Sequence, residues 1–186
     1  MGTGTSKPGL GLAALTLALA GCGGATRSQF TWLHPQAAPS AWRVAVIASG
    51  ASMAYPPSWK RQRGDQGTAT AALRAPDGRF IAYLNLTPRQ GRESLSNWAS
   101  FRPAHNSDEG DRDVRRVAAA GGLHFLSGHG SCVKDSYTTE VGARFVEIAC
   151  LVVGPHTASV IVAAAPPGVW NRESPTLERA IEAVRT

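Results

Sequence analysis

The residues best placed to do chemistry lie on two facing segments of the chain. Cys132 and Cys150 sit in β-like runs, LHFLSGHGSCVKDSYT and RFVEIACLVV, separated by the turn-like Thr139-Glu140-Val141-Gly142. Partners in an antiparallel hairpin lie equally far from the turn centre, and both cysteines are nine residues from Val141. Their sulfurs should therefore meet across neighbouring strands as a disulfide, and closing a loop of this size contributes roughly 3 kcal/mol in the chain-entropy view. No C-x-x-C spacing supports a catalytic thiol. The same register sets Asp135 opposite Glu147, each six residues from Val141. Like charges directly opposite are unfavourable. The pair must be solvated, shifted by a bulge, relieved by Lys134 or Arg144, or occupied by a cation or a carboxyl of raised pKa. It is the one paired-carboxylate signal in the chain, and hence the candidate polar site.

Other groupings carry less. His124, His129 and Cys132 are close in sequence, but on a single strand His124 and His129 would point to opposite faces, as would His129 and Cys132. No shared metal site is expected. Asn106, Asp108, Glu109, Asp111 and Asp113 resemble a calcium loop, but the glycine falls in a frame that starts at His105, and Arg112 intrudes. A solvated connection over 105–113 is the better reading. Gly128-His-Gly-Ser-Cys132 lacks the G-x-S-x-G spacing of a nucleophile elbow. The five tryptophans are spread widely and read as anchors. Asn85-Leu-Thr87 fits a glycosylation sequon, but Thr87 is better read as a helix cap.

These residues need a scaffold. Trp42–Ala48 suits a strand; Ala54-Tyr-Pro-Pro-Ser-Trp59 is a corner, because prolines remove ladder donors. Thr68–Arg74 and Arg79–Leu86 flank Ala75-Pro-Asp-Gly78, a hairpin turn signal. Thr87-Pro88-Arg89-Gln90 has the form of a helix start. That helix would turn Leu95, Trp98, Ala99 and Phe101 inward and close at Pro103. A strand over Val114–Ala120, a Gly121-Gly122 turn, the disulfide hairpin and a strand over Thr157–Ala165 follow. A last helix from Ser174-Pro175 carries Leu177, Ala180, Ile181 and Val184 on one face. The fold class is therefore α+β: an antiparallel sheet covered by two or more helices. This order, with the Pro-x-x-Trp opening in YPPSW, resembles the PsbP-like fold of small exported bacterial lipoproteins. The resemblance covers 42–186 and implies an α/β/α sandwich with a non-catalytic accessory role.

The N-terminus says where such a domain belongs. Leu10–Ala20 is too short to cross a bilayer, which takes roughly 20 residues. It reads as the apolar part of an export signal. Leu19-Ala20-Gly21-Cys22 resembles a lipobox, the motif in which the cysteine is acylated and becomes the new N-terminus. The expected organisation is a signal peptide over 1–21, a flexible tether over 22–41 and one globular domain over 42–186. Only Lys7 of the 19 basic residues is lost on cleavage, against 13 acidic ones retained, so the mature chain is basic. The bases are dispersed, which argues against nucleic acid and for anionic envelope components or a protein as partner. No cofactor is expected. The first functional reading is a lipid-anchored binding or accessory domain on the extracytoplasmic face of the cell membrane, with the bilayer as partner through acylated Cys22. The alternative is a small envelope hydrolase using carboxylates near Asp135 and Glu147.

Overall fold

The computed structural model describes residues 1–2 and 27–186. Cys22 and all but the first two residues of the expected signal peptide lie outside them. After a single 3-10 turn, Arg27–Phe30, the strands are β1 (Arg43–Val46), β2 (Ser52–Tyr55), β3 (Lys60–Gln62), β4 (Ala69–Arg74) and β5 (Phe80–Pro88). Helix α1 (Trp98–Asp108) follows, then β6 (Arg112–Phe125), β7 (Gly128–Thr138), β8 (Arg144–Val153), β9 (Ala158–Ala165) and helix α2 (Trp170–Glu182). Strands β1 and β2 form a separate hairpin. The others make one antiparallel sheet in the order β3-β4-β5-β9-β8-β7-β6.

Strand alternation divides the central strands between two cores. Cys132, Ile148, Cys150, Ile161 and Ala163 face α2, whose Leu177, Ala180 and Ile181 are fully buried against them. Val133, Ala149, Leu151, Val160 and Val162 face the other way and meet Trp98 of α1. Nearly every central residue is apolar because the strands are covered on both faces. Helix α1 packs on β6 and β7, while α2 packs on β9, β5 and β2. Sheet and helices thus make the expected α/β/α sandwich, and the α+β class holds.

Four expectations need correction. Thr87 and Pro88 do not open a helix: they extend β5 and pair with Val160 and Ser159 of β9. A local capping signature lost to long-range pairing. The helix begins ten residues later, with Pro103 inside it. Residues 105–108 belong to its last turn rather than to a solvated connection. Gly121-Gly122 is no turn either; it is an irregularity within β6, where Gly122 takes a φ of 66°. The chain reverses at Leu126-Ser127 instead. Finally, the tether expected over 22–41 does not include Phe30–Gln36, which pack on the domain. Phe30 is buried in the α2-side core, and Trp32 and Leu33 pack against it. The His34 backbone N–H and the Gln36 amide donate to opposite oxygens of Glu182, both at 2.9 Å.

Candidate functional site

Strands β7 and β8 pair in the register read from the turn centre, Cys132 with Cys150 and Asp135 with Glu147. The sulfurs are bonded at 2.04 Å. Both cysteines point toward α2, whereas both carboxylates, an odd number of residues away, point toward α1. Each carboxylate residue is 0% exposed. Solvation therefore does not relieve the pair, and neither Lys134 nor Arg144 does so.

The relief comes from the helix above. Arg102 of α1 forks onto Glu147, with Nε 2.7 Å from Oε1 and Nη2 2.9 Å from Oε2. Such bidentate geometry is the strongest form of this contact. One turn further along, Asn106 donates to Asp135 Oδ2 at 3.4 Å. Trp98, Arg102 and Asn106 are spaced by four, so they line one stripe of α1 facing the sheet. The Tyr137 hydroxyl donates to Glu147 Oε2 at 3.1 Å and lies 2.9 Å from the Tyr83 hydroxyl. Among the described residues Asp135 Oδ1 has no hydrogen-bond partner.

The electrostatics follow from one guanidinium facing two carboxyls. Arg102 is committed to Glu147, where burial opposes its charge and Glu147 more than restores it. Asp135 is left without a counter-ion. Burial first, and then the charge of Glu147, push its carboxyl up to about 8, with Arg102 working in the opposite direction. At neutral pH Asp135 therefore holds its proton. Burial and Glu147 also raise both tyrosines, so they stay phenolic. A buried charge pair of this kind offsets little more than its own desolvation, but removing one partner alone costs about 3–5 kcal/mol. The cluster locks α1 onto β7 and β8.

Beside the cluster, the α1-side face of the sheet is open over β5 and β9, where a cleft of about 620 Å³ forms. Tyr83, Asn85, Val160 and Val162 pave its floor; Trp98 and Phe101 make one wall. Arg102 and Asn106 reach its rim, but Asp135 and Glu147 do not line it. The loop at the other end of the cleft is shaped by Glu93, which accepts from the backbone N–H groups of Gln90 and Gly91. Burial pushes that carboxyl up, and these donors outweigh it and hold it below the usual range.

The remaining candidates are placed as follows. His124 and His129 lie on different strands and pair across the β6–β7 hairpin, their ring centroids 5.1 Å apart. The expectation that they diverge assumed one strand, and the turn between them reverses it. Cys132 is bonded to Cys150, and no group of three metal-ligating side chains exists among the described residues. Ser131 is buried and donates to the Leu95 carbonyl oxygen at 2.7 Å, a structural contact. Asn85 accepts from Thr70 across β4–β5. Arg102 is the site residue that sequence reasoning missed, and Asn106 was singled out only in the calcium-like segment, not as a partner of Asp135. The signal for them was the unrelieved Asp135–Glu147 pair together with an arginine on the inward stripe of a helix.

No family model matches the chain, and no curated protein matches it. Solved structures do. Cyanobacterial PsbP from Synechocystis sp. PCC 6803 is 10% identical with a TM-score of 0.55, covering 90% of this chain and 98% of its own. PA94 of Pseudomonas aeruginosa, a protein of unknown function, is 11% identical with a TM-score of 0.52, covering 78% of this chain and 96% of its own. LpqN of Mycobacterium tuberculosis, described as involved in cell envelope biogenesis, is a looser match at 13% identity and a TM-score of 0.39, covering 79% of each chain. The first two likenesses define the class: an α+β domain of PsbP-like fold. In this chain α1 is pinned through Arg102 to a buried carboxylate pair.

Proposed function

We propose that this chain is an extracytoplasmic lipoprotein, held at the cell membrane by acylated Cys22, whose PsbP-like domain acts by binding as an accessory to envelope components. The observation that carries this reading is the disulfide between two fully buried cysteines, chemistry that belongs to an oxidising compartment. Leu19-Ala20-Gly21-Cys22 supplies the means of attachment. No helix among the described residues is long and apolar enough to cross a membrane. Two acyl chains, at about 0.8 kcal/mol per buried methylene, are enough for durable attachment.

The hydrolase alternative needs carboxylates presented to a substrate. Asp135 and Glu147 are instead sealed beneath Arg102, Asn106 and Tyr137, outside the cleft. A general acid or base must reach the proton it moves. The geometry favours binding.

The test is mass spectrometry of the protein extracted from its native membrane. An N-terminal peptide that begins at Cys22 and carries acyl chains is the expected result, and Cys22→Ala should move the protein into the soluble fraction. An intact Met1 on a cytoplasmic protein with reduced Cys132 and Cys150 would overturn the proposal.

A further inference from the structure

His124 and His129 have no part in the carboxylate cluster or the cleft. Strand alternation puts them on the α1-side face, because Leu123 and Phe125, on either side of His124, pack into the α2-side core. They are direct partners across β6 and β7, one step from the Phe125–Gly128 pair that closes the hairpin. A reversal of only two residues, Leu126-Ser127, leaves the register no slack. The C-terminus secures it further: the Thr186 backbone N–H donates to Ser127 Oγ at 2.7 Å. Gly128 and Gly130 flank His129 because a Cβ at the first would meet the Val153 carbonyl oxygen and one at the second the Phe125 ring. The two imidazoles thus stand exposed, side by side, on a firmly held corner of the sheet.

Their separation is that of two ligands to one ion. The ring centroids are 5.1 Å apart and the ring planes are inclined at 64°. An imidazole nitrogen sits about 2.0–2.1 Å from a bound zinc ion, with its ring centre about 1.1 Å behind it, so two rings at a tetrahedral angle have centres about 5.2 Å apart. Among the described residues neither ring has a hydrogen-bond or ion-pair partner. All four ring nitrogens are therefore uncommitted, and no protein group fixes either tautomer, so each ring can turn either nitrogen to an ion. Imidazole suits zinc, copper and nickel, whereas magnesium and calcium take oxygen ligands.

We propose that His124 and His129 together bind one divalent ion of the late first-row transition series, through one nitrogen of each ring, with the remaining coordination positions open to water. Two ligands make an open site. A structural zinc site is closed by four protein ligands, and no group of even three exists among the described residues. Cys132 is no third ligand, being bonded to Cys150 and turned to the opposite face. The ion therefore exchanges with solvent while the hairpin stays folded. The inference is independent of the anchor at Cys22 and of the reading of the domain as an envelope accessory.

The probe is zinc chloride, titrated calorimetrically into the full chain purified in detergent without a polyhistidine tag, with magnesium chloride as the control. One zinc ion should bind per chain, and magnesium should not bind. His124→Gln and His129→Gln should each weaken zinc binding at least tenfold, because a single imidazole cannot chelate. His156→Gln removes an exposed histidine that forms no metal-ligating group with the pair, and should leave the affinity unchanged. Zinc should also raise the thermal midpoint of the native chain and not that of either pair variant. That comparison separates a metal site from two rings that only stack, since stacking gives no zinc-dependent shift. Zinc binding indifferent to either pair substitution, equal loss on His156→Gln, equal uptake of magnesium, or a thermal midpoint unmoved by zinc would each overturn the proposal. Membrane release on Cys22→Ala is read independently, so failure here leaves the anchor standing.

Discussion

Asp135 and Glu147 show how much a register can reveal and where it stops. Their opposition was legible from the turn centre, and so was the need for relief. The source of the relief was not, because Lys134 and Arg144 are neighbours in the strands and Arg102 arrives from a helix more than thirty residues earlier in the chain. Non-local packing decides such a partner. The consequence can be measured through pH. Asp135 has a folded-state pKa of about 8, well above the 3.8 of the free side chain, so between those values the folded state holds a proton that the unfolded state has released. Its contribution to stability is complete below about pH 4 and is lost as pH rises through 8. Asp135→Asn keeps the amide contact in reach without an ionisable group. Thermal unfolding at pH 5 and pH 8 should therefore show a smaller fall for the variant than for the native protein. Equal falls would mean that Asp135 is not the group responsible.

At the scale of elements, the β7–β8 hairpin, the β4–β5 hairpin and the buried stripe of α2 were all readable, because each is written in local spacing. The start of α1 was not. Thr87-Pro88 satisfies the local rules for a helix start, yet β9 needed a partner along its whole length, and ladder pairing at Thr87–Val160 prevailed. Helix α2 likewise begins at Trp170 rather than Ser174, with Pro175 still in its early part. The disulfide belongs at this scale too. It joins two central strands that are already paired, the cysteines standing 18 positions apart in sequence, so it acts on the unfolded chain more than on the sheet. Replacing both cysteines by alanine should lower the free energy of unfolding by about 3 kcal/mol. Urea titration with and without the replacement measures this, and a change below one-third of that value would assign the strand pairing to the ladder and the core alone.

The molecule as a whole begins earlier than its sequence pattern indicates. FTWLHPQAAPS has no helical or strand period, and so looks like linker, but Phe30 fills the α2-side core and Glu182 is satisfied by donors from His34 and Gln36. Contacts between residues about 146 positions apart leave no local trace. A chain starting at Trp42 should therefore unfold in less denaturant than one starting at Arg27, by about 3 kcal/mol or more, the scale of losing a buried aromatic ring. Identical midpoints would return 30–41 to the linker. Under the proposed anchoring at Cys22, the eight residues to Phe30 reach at most about 28 Å, which would hold the domain close to the lipid.

Strand β6 lies at one margin of the large sheet, and its pairing with β7 slips at three places along fourteen residues. Arg112, Arg115 and Arg116 stand exposed along it. A long open margin invites a second copy to zip alongside, and irregular spacing with repeated positive charge frustrates that match. Under the proposed anchoring, which would confine the molecules to two dimensions and make encounters between copies frequent, this would let a crowded population stay as individuals instead of spreading into ribbons.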